Sequence, residues 1–162
     1  MSNQNLPDWS NYFLGQAFLV SQRSPDQQTK CGCVITNAKN QVIGQGYNGF
    51  PRGADDNSLP TIRPEKYPWM IHAEVNAILN CSTKPESSTA YITTKPCFNC
   101  TLLMWQAGVT NITYAINGDR PHMIDNDEEY NTLMSRLLPM IDLTIEGAVA
   151  DLSFISNFLG QG

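Results

Sequence analysis

At 162 residues, with 41% apolar and 15% charged side chains, the chain has the size and composition of one folded domain rather than a disordered segment. Lys plus Arg number 10 against 15 Asp plus Glu, a net charge of −5 with the cations scattered, which excludes a basic stripe able to neutralise a polynucleotide backbone. No apolar run approaches the roughly 20 residues that cross a bilayer, and Met1–Asp8 has neither a basic start nor an apolar core, so the expected location is the cytoplasm, away from membranes and nucleic acid.

Residues 1–7 read as a loose leader. Asp8 is a good N-cap for a helix over Trp9–Gln22, where Trp9, Phe13, Ala17 and Val20 recur on one face. Ser24-Pro25-Asp26 ends it, and a polar loop runs on to Lys30. Cys33–Thr36 predicts a short strand, Asn37–Asn40 a turn and Gln41–Gly44 its hairpin partner. Gly44–Gly53 holds four glycines and a proline, which predicts a shaped loop rather than a strand or helix. Residues 54–68 have no periodicity and read either as surface insert or as part of a binding loop.

A helix from about Ile71 would place Ile71, Val75, Ile78 and Leu79 on its apolar face. Ala90–Thr93 predicts a strand. Pro96 suits a helix start, and the helix over Cys97–Ala107 should end at Gly108. Ile112–Ile116 predicts another strand, 117–127 a polar loop and Glu128–Leu138 a helix that stops before Pro139. A last strand over Asp142–Ile145 and a closing helix through Leu152, Ile155, Phe158 and Leu159 complete the chain. This order predicts an α/β fold, a mixed five-stranded sheet flanked by helices, in a single domain over residues 1–162. The first two strands should be antiparallel and the later ones joined by parallel crossovers.

Two short segments carry the chemistry: His72-Ala73-Glu74, and Pro96-Cys97-Phe98-Asn99-Cys100. An imidazole and two thiolates are a three-ligand set for catalytic Zn²⁺, which leaves a fourth position open. Cysteines three apart share one helix face, and a helix start favours the thiolate. His72 is expected in the first turn of one helix, with Cys97 and Cys100 in the first turn of the next. The pattern H-x-E…P-C-x-x-C resembles that of zinc-dependent nucleobase deaminases. Hydrolytic deamination needs a proton shuttle, a role Glu74 can fill. Ala73 is small enough to leave room for a ring, and its N–H could bind a pyrimidine carbonyl.

A lone Cys-x-x-Cys would also suit a redox pair or a structural zinc. The first leaves His72-Ala73-Glu74 unexplained, and the second wants a fourth ligand, for which His122 is the only other histidine. His122 reads as a loop residue, and Asp125, Asp127, Glu128 and Glu129 as charges at a helix start. The five cysteines are not a disulfide framework in a reducing compartment. Cys31, Cys33 and Cys81 read as buried inert thiols.

The run His72–Asn80 with Pro96–Cys100, the loop Gly46–Gly53 and the segment Ser21-Gln22-Arg23-Ser24 together resemble the deoxycytidylate (dCMP) deaminases of the cytidine deaminase superfamily, over residues from about 12 to 116. The resemblance implies a three-layer α-β-α fold and zinc-dependent deamination of dCMP to dUMP and ammonia. By position it implies His72, Cys97 and Cys100 as zinc ligands, Glu74 as the shuttle and Asn48 as a contact to the deoxyribose. Arg23 and Ser24 are candidates for the 5′-phosphate, through charge-assisted hydrogen bonds. Gly46, Asn48, Gly49, Arg52, Gly53 and Asp55 resemble the family's effector loop. The family further implies a homohexamer activated by dCTP and inhibited by dTTP, with Mg²⁺ accompanying the bound triphosphate.

Two departures stand out. Ala54 replaces a cysteine of several relatives, which speaks against a second zinc site. Asp119-Arg120-Pro121-His122 stands where many members read Asp-Lys-Tyr-His, so any substrate contact made by that tyrosine is lost or replaced. The competing readings are another superfamily member acting on free cytidine, guanine or a tRNA adenosine, a non-catalytic zinc module, and an inactive nucleotide sensor.

Overall fold

The structure is a computed structural model that describes residues 6–118 and 127–160. The Asp119–His122 segment, with its departure at Pro121, and Asp125 lie outside the described residues, as does most of the leader; so does the side chain of Asp127.

Asp8 caps α1 (Trp9–Ser21) by accepting the Asn11 N–H at 2.7 Å. The buried stripe of α1 is Phe13, Leu14 and Ala17, while Trp9, expected on that face, is 57% exposed and stacks on Phe13 from outside. The chain continues through β1 (Gly32–Thr36), β2 (Val42–Tyr47), α2 (Ala73–Leu79), β3 (Ser88–Ile92), α3 (Phe98–Ala107), β4 (Val109–Ala115), α4 (Asp127–Leu137), a 3₁₀ turn at Leu138–Met140, β5 (Thr144–Ala148) and α5 (Ser153–Leu159). Among the described residues, no helix is long and apolar enough to cross a membrane.

The strands form one sheet in the order β2-β1-β3-β4-β5. β1 runs antiparallel to both its neighbours, while β3, β4 and β5 are mutually parallel through the α3 and α4 crossovers. This is the mixed five-stranded arrangement that the element order predicts. Every residue of β1 is buried, and alternate side chains feed opposite layers. Cys33 and Ile35 join Ala73, Ala77, Cys100 and Met104 under α2 and α3, whereas Val34 joins Phe13, Leu14 and Ala17 under α1. α5 closes over α1, with Phe154 and Ile155 against Gly15. Helices on both faces of the sheet make the three layers.

The segment from Gly44 to Tyr47 corrects the expected loop: it is the second half of β2, paired with Ile35 down to Gly32. Its glycines are contact points for a helix, not turn formers. A Cβ on Gly46 would stand 2.7 Å from both the Ala73 carbonyl oxygen and the Asn76 carbonyl carbon, so α2 rests its backbone on the strand there. That close approach also corrects the expected apolar face of α2. Its buried residues are Ala73, Glu74 and Ala77, and Leu79 is 73% exposed. Ile71 lies before the helix, in an antiparallel bridge to Gly49. Similarly, Phe158 and Leu159 of α5 point outward.

Candidate metal centre and its cleft

Because β2 and β3 are both antiparallel to β1, they run in the same direction and end at the same edge of the sheet. α2 and α3 begin at that edge. His72 is the N-cap residue of α2, and Cys97 that of α3, one step earlier than the first-turn positions expected from the sequence. Pro96 accordingly precedes the cap. Cys97 Sγ accepts the Cys100 N–H at 3.4 Å, as a capping side chain does.

The ligand atoms of His72, Cys97 and Cys100 lie within 4.8 Å of one another, the one such group of three or more among the described residues. His72 Nδ1 is 3.7 Å from Cys97 Sγ and 3.3 Å from Cys100 Sγ. Bonds of about 2.3 Å to sulfur and about 2.0 Å to nitrogen at tetrahedral angles imply edges of roughly 3.5–3.8 Å. The donor set and its spacing therefore fit zinc. Without metal, the Cys100 thiol hydrogen-bonds Cys97 and lowers the Cys97 pKa to about 4, while the same interaction drives the Cys100 thiol upward. The Cys97 sulfur also raises His72 by hydrogen bonding.

Glu74, in the first turn of α2, is 6% exposed, and burial raises its carboxyl above the ordinary carboxylate range. It lines a cleft of about 120 Å³ together with His72, Ala73, Cys97 and Asn48. A cavity of about 150 Å³ accepts a benzene ring, so this space is on the scale of one aromatic ring. Cys31 also lines it, but burial pushes that thiol up to about 12, and burial likewise raises Cys33 and Cys81. All five cysteines are free; Cys33 is buried as expected, while Cys31 and Cys81 are only partly so, and the raised pKa of each of the three favours the thiol over the thiolate.

Asn48 is braced on all sides. Its Oδ1 accepts the Cys31 N–H at 2.8 Å, and its Nδ2 donates to Asp26 Oδ2 at 3.2 Å and to the Thr29 carbonyl at 3.0 Å. Asp26 in turn accepts from the N–H groups of Gln28 and Thr29 and forms an ion pair with Lys66 at 2.6 Å, both side chains being 3% exposed. Removing the cation from such a pair strands a buried carboxylate. We expect Lys66→Met to cost about 3–5 kcal/mol in urea unfolding, with part regained by Asp26→Asn in the double variant. A loss below about 1 kcal/mol would mean the pair is dispensable.

Ser24 is buried outside the cleft lining, donating to the Asn48 carbonyl at 2.7 Å and accepting the Asp26 N–H at 3.2 Å. Arg23 is exposed and does not line the cleft either. Gly46, Gly49 and Arg52 line a second groove, of about 850 Å³, between β2 and α2. Gly53 and Asp55 line neither. Gly53 takes φ +86 with open space where a side chain would sit, and the Asp55 carboxylate accepts from Asn57 N–H and Ser58 Oγ in a turn.

Sequence reasoning did not single out several other cleft residues, among them Asp26, Thr29, Arg63, Lys66, Tyr67 and Lys95. For Lys95 a signal existed, since it lies two residues before Cys97; its ammonium packs 4.2 Å from the Tyr130 ring centroid.

The family described as the cytidine and deoxycytidylate deaminase zinc-binding region matches residues 7–116. The deoxycytidylate deaminase of Homo sapiens is 39% identical over 128 residues, 75% of this chain and 70% of that protein. That of Mus musculus is 38% identical over 138 residues, 81% and 74% of the two chains. The crystal structure of dCMP deaminase from the cyanophage S-TIM5 in complex with dCMP and dUMP superposes with a TM-score of 0.62 at 21% identity, covering 88% of this chain and 98% of that one, a likeness of fold. The match spans both halves of the ligand cluster and the strand between them, so the chain belongs to the cytidine and deoxycytidylate deaminase family with its zinc-binding region.

Proposed function

We propose that the protein catalyses zinc-dependent hydrolytic deamination of dCMP to dUMP and ammonia. The observation that carries this reading is the buried Glu74 carboxyl sharing one ring-sized cleft with His72 and Cys97, two members of the ligand cluster that Cys100 completes. The deoxycytidylate deaminases among its relatives support the choice of substrate. His72, Cys97 and Cys100 would hold zinc, which when bound would supply a Lewis acid and lower the pKa of water towards about 7. Glu74 takes one proton from the water that attacks the amine-bearing carbon and passes it to the adjacent ring nitrogen; it then takes the second proton from the hydroxyl now on that carbon and gives it to the amine, so that the C–N bond breaks, ammonia leaves and the carbonyl forms. Its raised pKa suits a group that must hold a proton between these transfers. Ala73 lies in the first turn of α2, where N–H groups have no intrahelical partner, and its N–H donates to the pyrimidine carbonyl oxygen. Asn48 Oδ1 keeps a second lone pair for a sugar hydroxyl, held in place by Asp26 and Cys31.

The reading extends to regulation. The groove lined by Gly46, Gly49 and Arg52 falls within the roughly 300–1,000 Å³ of ligand pockets, and is separate from the catalytic cleft. It receives dCTP as activator or dTTP as inhibitor, with Mg²⁺, in a cytoplasmic homohexamer. Steady-state turnover of dCMP, CMP and deoxycytidine, each with and without dCTP or dTTP, tests both parts. Preference for dCMP with a sigmoidal curve made hyperbolic by dCTP is the expected result. Equal rates on all three would defeat the monophosphate assignment, and a curve insensitive to either triphosphate would remove the effector site.

A further inference from the structure

We infer that Arg63 is the residue by which the cleft selects a 5′-phosphorylated nucleotide over the free nucleoside; this rests on the deaminase reading above. Three cations line the cleft: Arg63, Lys66 and Lys95. Lys66 is neutralised by the buried Asp26 carboxylate, and Lys95 lies over the Tyr130 ring. The guanidinium of Arg63 has no carboxylate within ion-pair distance among the described residues.

Arg63 is nevertheless held in place. Its backbone N–H donates to Gln28 Oε1 at 2.8 Å, and its Nη2 donates to Thr29 Oγ1 at 2.5 Å. Its Nε is buried without a hydrogen-bond partner. A buried donor left unmade is costly, and here it belongs to a side chain already fixed at one edge on the wall of the ring-sized cleft. A guanidinium with spare donors and an uncompensated charge matches a phosphate dianion by geometry and by sign. The metal cluster does not compete for that anion, because two thiolates balance the charge of a divalent ion. Arg23, the cation expected from the sequence, is exposed outside the cleft lining, and Ser24 has its hydroxyl committed to the backbone.

The test compares the zinc-loaded wild type, Arg63→Gln and Arg63→Lys on dCMP and on deoxycytidine, with zinc content and the urea midpoint measured for each. Arg63→Gln is expected to lower kcat/KM on dCMP by about 10- to 100-fold, the scale of a charged hydrogen bond, while deoxycytidine turnover is unchanged. Inhibition by inorganic phosphate should weaken in parallel. Arg63→Lys keeps the charge without the fork and should fall between the two; it also carries the test if the glutamine variant does not fold. Equal losses on both substrates, or no loss on dCMP, would overturn the assignment while leaving the deaminase reading intact. Failure of the wild type to turn over either substrate would remove the deaminase reading and this inference with it.

Discussion

Glu74→Gln is expected to retain one equivalent of zinc while kcat on dCMP falls by about 10²–10⁴-fold, the usual contribution of a positioned general acid–base group. The amide fills the same volume, so the cleft keeps its shape. What disappears is the ability to accept a proton from water and release it to the ring. The variant should also separate catalysis from stability. Burial raises the Glu74 pKa, so the folded metal-free protein binds this proton more tightly than the unfolded chain does. Its contribution is then fully present below the ordinary carboxylate range and is lost as pH rises through the raised value. Above that window the metal-free glutamine variant should be at least as stable as the wild type in urea. Unchanged turnover in a zinc-replete Glu74→Gln protein would mean that Glu74 is not the proton shuttle, and no turnover of dCMP by the wild type would mean that the chain is a zinc module and not a deaminase.

Cys100→Ala is expected to abolish stoichiometric zinc and reduce turnover by more than about 10⁴-fold, since it removes both a metal ligand and the group it activates. The thiol is buried against Cys33, Ala73 and Met104, and alanine leaves a small gap there rather than a clash. Folding should survive. The decisive comparison is with the wild type treated with a chelator. The two should share nearly the same Tm, because both lack the cross-link between the starts of α2 and α3, whereas untreated wild type should melt higher. Full zinc occupancy in Cys100→Ala, measured by elemental analysis, would place the metal on other ligands.

The chemistry was legible because each half of it is local. His72 and Glu74 sit two residues apart, Cys97 and Cys100 three apart, and each pair begins a helix, so spacing alone aims them together. β2 was half-legible: Gln41–Gly44 reads as a strand, but Gly44 and Gly46 have the composition of a turn. Their real cause, the backbone of α2 pressing on them, comes from residues 30 positions away and leaves no local trace. The same contact hides the fully buried positions of α2, Ala73, Glu74 and Ala77, while Val75 and Ile78 pack half-buried against the core as expected and Leu79 is exposed. Asp26 and Lys66 were invisible for a related reason. They lie 40 residues apart, in segments without periodicity, and an isolated acid and an isolated base read as solvated charges until the fold buries both. Arg63 shares that aperiodic segment, which could have been read as insert or as binding loop; its lining of the cleft favours the second.

The bridge between Gly49 and Ile71 bears on how such a protein can change its substrate. The Gly49 N–H donates to the Ile71 carbonyl at 3.0 Å, and the Ile71 N–H to the Gly49 carbonyl at 2.7 Å. The chain thus leaves and re-enters the framework through a two-bond clasp, one residue ahead of His72. The exposed part of the segment between the jaws of that clasp can be lengthened, shortened or exchanged without displacing the first metal ligand, provided that Lys66 keeps its buried pair with Asp26. The recognition segment is in effect a removable cassette mounted on a fixed reaction chamber, and swapping cassettes offers a route to new nucleotide preferences that leaves the proton-transfer apparatus untouched.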